Sequence, residues 1–352
     1  MSLRILFSSR PNYKTQPGGD TLHMEQSALA LEKLGHTVKI WAGEKVNKQE
    51  YDLIHHFNLG RPAQALKLLS LETPMLISTI YVDYQKHEEK SSPFRRFLIR
   101  GLGSDALEYL KLMARALRQK EDWPSWYYLF NGHRASIEKL IQKSSLLITA
   151  SEAEAGLLQE KYPIRQKPKC LKLGVEHLKI VDTKVREGLL CIARFEPLKN
   201  QLNLIEALKN SDYRLSLVGE ASSNHQDYLK FCQSRASKNM QFLGRVSIDQ
   251  CAELYAQAKV HVLPSYYEST GLVSIEALAS GCQIVVNDHP IQRELFQDRA
   301  HYCQVEDPNS ILQAVEQALA DTRDHQAWLR SEFSWEKSAQ KLEQFYMDIL
   351  SS

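Results

Sequence analysis

Residues Val260 to Gly281 read VHVLPSYYESTGLVSIEALASG. VHVLP is a short aliphatic run of strand type, SYYEST is a polar turn, and LVSIEALAS repeats apolar residues at helical spacing. A strand that passes through a turn into a helix is half of a βαβ unit, and the next strand-like run, QIVV, opens at Gln283. Glu276 stands out in this stretch, because its neighbours in the helix are nearly all apolar. A carboxylate carried into such a face costs several kcal/mol unless a partner holds it. The fold and the chemistry are therefore raised by the same segment.

Working outward, the same alternation runs through both halves of the chain. LRILFS, TVKIWA, DLIHHF and MLISTI are strands of the first half, with MEQSALALEKLG and PAQALKLLSL as helices between them. LLCIA, RLSLVG, VHVLP and QIVV are strands of the second, with LNLIEALKN, IDQCAELYAQA and LVSIEALAS as helices. The expectation is an α/β protein of two doubly wound, Rossmann-like domains, 1–178 and 179–334, connected near Leu171 to Asp182. Open α/β sheets take ligands at the carboxyl ends of their strands, so two such domains facing one another would define a cleft. The last segment, WEKSAQKLEQFYMDIL, places Ala339, Leu342, Phe345, Tyr346 and Ile349 on one helical face. A long irregular insertion runs from about Gln85 to Arg134.

The 352 residues are 43% hydrophobic and 24% charged, a globular composition long enough for two cores. The formal net charge of +2 argues against a nucleic-acid binder built on bulk electrostatics. The charge is uneven: Met1 to Leu178 holds 26 Lys+Arg against 19 Asp+Glu, and the remainder holds 18 against 23. The six cysteines are widely spaced, with no CxxC and no zinc-type cluster, and read as reduced thiols. No signal-peptide layout and no apolar run near the ~18 residues of a membrane span is visible, so the expected compartment is the cytoplasm.

Three constellations could carry chemistry. In the opening segment, a helix starting near Leu272, with Ser269 or Thr270 as capping hydroxyl, would present the backbone N–H groups of Thr270, Gly271 and Leu272 to an anion. Glu268 on the loop and Glu276 one turn inside the helix could border one bound molecule. A carboxylate accepts two hydrogen bonds in a fork, which suits a vicinal diol such as a ribose or a hexose. In the plainer alternative, Glu276 bonds a neighbouring backbone group or basic side chain. Glycosidase chemistry is disfavoured, because acid and nucleophile flank one bond, whereas two groups on one loop and helix line one side of a ligand. The second constellation is CIARFEPLKNQ, which places Arg194 and Lys199 beyond a strand end, a pairing suited to phosphate although equally found among surface charges. The third is QPGGDT, where Gly18 and Gly19 precede Asp20 or Thr21 as helix cap. It has neither GxGxxG nor Walker spacing, which disfavours dinucleotide binding and ATP hydrolysis.

In this order the segments RILFSS, PGG, ALALEKLGHTV, LKLGVE, ARFEPLKN, LVGE, FLGRV, LPSYYESTGLVSIEALASG and FSWEKSAQKLEQFY resemble the retaining nucleotide-sugar glycosyltransferases of family 4, which have the GT-B fold. The resemblance covers nearly the whole chain except the insertion, and its most specific part is the E-x7-E segment together with ARFEPLKN. It implies that Arg194 and Lys199 neutralise a donor diphosphate and that the backbone at Thr270 to Leu272, beside Ser269, adds donors. Glu276 would take the ribose and Glu268 the transferred sugar. Gly19 would close on the phosphates, main-chain groups around Val246 would hold the base, and the final helix, 335–352, would return to the first domain.

The resemblance also implies that the acceptor is a glycan, a lipid-linked sugar or a small molecule, that no metal or cofactor is required, and that no protein nucleophile acts. Many relatives carry a His-Asp pair near the reacting sugar; here the place reads STIYVDY. Tyr81 and Asp83 are the nearest equivalents, with His55, His56 and Asn58 on the preceding strand, each as readily structural as functional. A helix from about Asp105 would carry Leu107, Leu110, Ala114 and Leu117 on one stripe and Lys111, Arg115 and Arg118 on another, a face able to rest peripherally on anionic lipid. The rival readings are a nucleotide-sugar epimerase or phosphorylase of related fold and a catalytically silent nucleotide-sugar-binding subunit. A phosphorylase would need a lysine-bound pyridoxal, which no segment demands, and the intact charge cluster argues against a silent subunit.

Overall fold

The computed structural model describes residues 2–10, 13–15, 18–41, 43–47, 50–81, 105–106, 109–110, 112–113, 124–175, 181, 183 and 185–351. The chain divides into two compact units, unit 1 being Met1–Leu173 with Trp335–Ser352 and unit 2 being Gly174–Ser334.

Unit 1 is built on a six-stranded parallel sheet: β1 (Arg4–Ser8), β2 (Thr37–Ile40), β3 (Leu53–Phe57), β4 (Met75–Ser78), β5 (Leu146–Thr149) and β6 (Lys169–Cys170), in the order β2-β1-β3-β4-β5-β6. Every residue of β3, β4 and β5 is buried, as expected of strands covered on both faces by crossover helices, while the edge strand β2 alternates between exposed and half-buried. The chain reverses its direction of travel across the sheet between β1 and β3, so the loops above those strands form a switch point. The final helix, Trp335–Leu350, packs on Gly19–Lys33 and buries Trp335, Ala339, Leu342, Phe345 and Tyr346. Ile349 is only half-buried. The Tyr346 hydroxyl lies 2.7 Å from His55 Nδ1 on β3, so the last helix is tied to the middle of the sheet.

Unit 2 repeats the architecture with β7 (Leu189–Ile192), β8 (Leu215–Val218), β9 (Met240–Gly244), β10 (Val260–Leu263), β11 (Gln283–Asn287) and β12 (His301–Cys303), all parallel, in the order β12-β11-β10-β7-β8-β9. β8 and β9 are laid down on one side of β7, and β10, β11 and β12 on the other. The switch point therefore falls between β7 and β10, which pair through Leu189 and Val260. Helices Gln201–Leu208, Gln226–Arg235, Ile248–Gln257, Leu272–Ala279, Pro290–Phe296, Pro308–Ala320 and Gln326–Glu332 cover this sheet.

Three local expectations are corrected. The stretch from Gln85 to Arg134 is not irregular to its end: an 18-residue helix, Trp126–Lys143, starts inside it, capped by Ser125 Oγ on the Tyr128 N–H and broken at Gly132, whose φ is 77°. The 19–33 helix begins at Gly19 with Gly18 as its N-cap, so Asp20 and Thr21 lie inside its first turn. The Leu272–Ala279 helix has no capping hydroxyl; its N-cap is Gly271 in the left-handed region, with φ 66°, which turns the chain without help from Ser269 or Thr270. The basic stripe of Lys111, Arg115 and Arg118 and the partner positions Leu107, Ala114 and Leu117 lie outside the described residues. The described cysteines are all free thiols. Among the described residues no helix is long and apolar enough to cross a membrane.

Candidate functional site

The loops beyond β7 and β10 meet at the switch point of unit 2. After β7 the chain runs through Arg194 into a short 3-10 turn, Pro197–Lys199, and then into the Gln201–Leu208 helix. Asn200 joins the two in the left-handed region at φ 59°, which Asn tolerates better than most side chains. Its buried amide donates to the Pro264 carbonyl at 3.1 Å and to the Val305 carbonyl at 2.7 Å. The Tyr266 N–H adds a bond to the Leu198 carbonyl at 2.9 Å. The loop carrying Lys199 is thus stapled to the loop carrying Glu268.

Their side chains meet directly. Lys199 Nζ lies 2.6 Å from Glu268 Oε1, with side-chain exposures of 18% and 15%. An ammonium has three donors, so Lys199 can keep this carboxylate and still hold an anionic oxygen. Arg194 sits on the same strand end, more exposed, with Nη2 3.6 Å from Glu196 Oε1. Gln201 Nε2 fixes the Arg194 carbonyl at 2.8 Å. Close approach of neighbouring strands also sets this loop. Gly219, at the end of β8, has φ 138°, and a β-carbon there would stand 2.0 Å from the Ala193 carbonyl oxygen.

Beyond Glu268, Ser269 and Thr270 are half-buried and Gly271 and Leu272 buried, and the helix that follows opens with no side-chain cap. Its first turn points uncapped N–H groups and the positive end of the helix dipole toward the carboxyl edge of β10. Gln292, on the helix after β11, is buried and donates to the Glu268 carbonyl at 3.5 Å. Glu276 is 8% exposed and accepts a 3.0 Å hydrogen bond from the Tyr255 hydroxyl. Burial, and then the nearby Glu276 carboxylate, raise Tyr255 well above its ordinary value, so its hydroxyl keeps the proton it donates. Val246 is half-buried in the loop between β9 and the Ile248–Gln257 helix.

The structure therefore gathers Arg194, Lys199, Glu268, Ser269, Thr270, Gly271, Leu272 and Glu276 at one end of one sheet. Gly19 belongs to unit 1, where it is exposed at the start of its helix. The Gly18–Gly19 turn there is held by Arg10, paired with Asp20 at 2.6 Å, and by Thr21 Oγ1, which accepts from the Gly18 N–H at 3.3 Å.

Of the residues expected to face an acceptor, His56 is fully buried, its Nδ1 2.9 Å from Ser8 Oγ and its Nε2 3.2 Å from the Asn58 carbonyl. Desolvation lowers its imidazole to about 4. A sealed, neutral ring of this kind orders the chain around it. Asn58 is half-buried with φ 83°, and the Tyr81 N–H donates to Glu154 Oε1 at 2.8 Å. Asp83 lies outside the described residues. Sequence reasoning missed Glu154, which also accepts from Thr79 Oγ1 at 2.5 Å and the Ala150 N–H at 2.8 Å. It missed Asn200, Tyr255 and Gln292 as well. Asn200 adjoins Lys199 and could have been suspected; the others have no local sequence signal. Among the described residues no group of three or more His, Cys, Asp or Glu is placed to hold a metal ion.

Comparison with known proteins bears on the family and the fold. Residues 180–334 match the family described as Glycosyl transferases group 1. The serotype-specific mannosyltransferase WbdA of Escherichia coli is 29% identical over 164 residues, 44% of this chain and 20% of that protein, so the chain spans about a fifth of the length of this relative. The N-acetylgalactosamine-N,N'-diacetylbacillosaminyl-diphospho-undecaprenol 4-alpha-N-acetylgalactosaminyltransferase of Campylobacter jejuni is 24% identical over 307 residues, covering 78% of this chain and 79% of that one. Anabaena HepE, solved with UDP and glucose, superposes with a TM-score of 0.71 at 16% identity, covering 98% of this chain and all of HepE. The two-unit α/β fold is the GT-B type.

Proposed function

We propose that the protein is a retaining hexosyltransferase that moves a sugar from a nucleotide diphosphate donor, a UDP- or GDP-sugar, to a glycan, lipid-linked or small-molecule acceptor. The observation that carries this reading is the Lys199–Glu268 pair at 2.6 Å, set at the switch point of unit 2 beside an uncapped helix start. An ammonium, a nearby guanidinium and free N–H groups suit a diphosphate, and carboxylates on either side suit the hydroxyls of the sugars at its ends.

Breaking a sugar-phosphate bond builds negative charge on the diphosphate and positive charge at the anomeric carbon. Lys199, Arg194 and the helix N–H groups stabilise the first, and the Glu268 carboxylate lies on the sugar side, where it binds hydroxyls of the transferred hexose. With charge stabilisation supplied by fixed groups, the reaction needs no metal, and the leaving phosphate oxygen takes the acceptor's proton. Main-chain groups near Val246 hold the base. On the acceptor side, Asn58, Tyr81 and Asp83 remain the candidates.

A lipid-linked acceptor is favoured by one surface feature. Trp126 and Phe130 are 75% and 78% exposed and stack at 6.0 Å on the helix that follows the basic segment. Aromatic side chains beside basic sequence suit peripheral contact with an anionic membrane, in keeping with a cytoplasmic protein at the inner face. Liposome flotation at low salt should recover the protein with anionic vesicles, and absence from the floated fraction removes this part of the reading.

The donor assignment is tested by a thermal-shift panel of UDP-, GDP- and ADP-sugars. A ligand at 100 times its dissociation constant adds ~2.7 kcal/mol to stability. Lys199→Ala and Glu276→Ala should abolish the response while the apo protein stays folded; an unchanged response in both contradicts the site.

A further inference from the structure

Leu272, Ser274, Ile275, Ala277, Leu278 and Ala279 around Glu276 are all buried, so the carboxylate sits in a largely apolar face. Tyr255, on the Ile248–Gln257 helix, is fully buried and donates to Glu276 Oε2 at 3.0 Å. Tyr255 is itself fixed at both ends. Its carbonyl accepts from Arg186 Nη1 at 2.9 Å and from Cys282 Sγ at 3.0 Å. Its ring meets the His261 ring edge-on at 5.8 Å, and His261 Nε2 accepts the Ile192 N–H at 3.3 Å, two residues before Arg194. Tyr255 and His261 thus form a buried bracket beneath the donor site, linking the strand end that carries Arg194 to the helix that carries Glu276.

We infer that Tyr255 is a positioning residue: its hydroxyl sets the plane of the Glu276 carboxylate so that the fork meets the vicinal hydroxyls of the donor's ribose. This rests on the donor reading given above. Burial of the phenol raises it well above its ordinary value, which favours the protonated, donating form. A merely structural hydroxyl would affect stability alone. A hydroxyl that orients Glu276 affects discrimination between ribose and deoxyribose, because the fork is the element that reads the diol.

The experiment measures dissociation constants of UDP and GDP, and of their 2′-deoxy counterparts, for the full chain and for Tyr255→Phe and Glu276→Gln. The parent should bind one ribonucleotide about tenfold more tightly than its 2′-deoxy form, a gap of about 1.4 kcal/mol. Glu276→Gln should lose the preference, and Tyr255→Phe should lose most of it through weaker ribonucleotide binding, with 2′-deoxy binding unchanged. If Glu276→Gln loses the preference and Tyr255→Phe retains it, the positioning role is overturned and the donor reading stands. If Glu276→Gln retains it, or the parent responds to neither diphosphate, the ribose assignment fails and this inference with it. A Tyr255→Phe chain that does not fold makes the hydroxyl structural and equally overturns the proposal.

Discussion

On the proposed reading, Lys199 and Glu268 are the residues on which most of the chemistry turns. Each would be costly to bury alone, and at 2.6 Å each supplies the other's counter-charge while leaving two ammonium hydrogens to serve a ligand. On that reading, replacing Lys199 by Met removes a fixed positive charge from the place where the leaving group would develop its negative charge. The expected outcome is a loss of about 10²–10³ in kcat, measured by release of nucleotide diphosphate, with the protein still folded. Gly219 is a second test at this scale. Since a β-carbon there would sit 2.0 Å from the Ala193 carbonyl oxygen at a φ of 138°, Gly219→Ala must move the strand end that carries Arg194. Denaturant titration should show a loss of more than about 3 kcal/mol, and donor binding should weaken with it. A stability change under 1 kcal/mol would mean that the loop is not pinned there.

Among the elements, the last helix shows how much periodicity can convey. Its apolar spacing predicted a buried face, and Leu342 and Tyr346 are both fully buried against unit 1. Leu342→Ala should cost about 2–5 kcal/mol in chemical denaturation, the range for truncation of a well-packed leucine. Other elements were not legible. β6 has two residues and β12 three, too few for a period to register, and Leu146–Thr149, though fully buried, follows a long helix without a glycine or proline stop. Caps misled for a different reason. Ser269, Thr270, Asp20 and Thr21 are all good capping types, yet Gly271 takes one cap position at a φ of 66° that favours glycine, and Gly18 takes the other in an extended conformation open to any residue. The candidate donor residues could be grouped from the sequence because they fall within two short segments. Tyr255 and Glu154 could not, because their partners come from distant turns of the chain and only the fold brings them together.

At the level of the whole molecule, buried histidines set the acid limit. Burial lowers His23 and His56 to about 4 and holds His55 well below 6.5, all in unit 1, whereas in unit 2 His261 is lowered to about 3. The folded chain keeps these rings neutral where the unfolded chain, titrating near 6.5, takes up protons. Their contribution is therefore intact above about pH 6.5 and is lost as the pH falls toward 4. Three such groups give unit 1 a slope approaching ~4 kcal/mol per pH unit, against ~1.4 from His261 in unit 2, where the less buried His325 is also lowered. Hydrogen exchange at pH 5 should therefore open Leu53–Phe57 before Val260–Leu263, and equal protection of the two strands would contradict the argument.

The central claim is that a diphosphate lodges at the switch point of unit 2, and a crystal structure of the protein with UDP or GDP tests it most directly. The account predicts phosphate oxygens within hydrogen-bond distance of Lys199 Nζ and of the N–H groups at Thr270 to Leu272, with the ribose hydroxyls on Glu276. A nucleotide seated elsewhere, with Lys199 still turned only to Glu268, would contradict it.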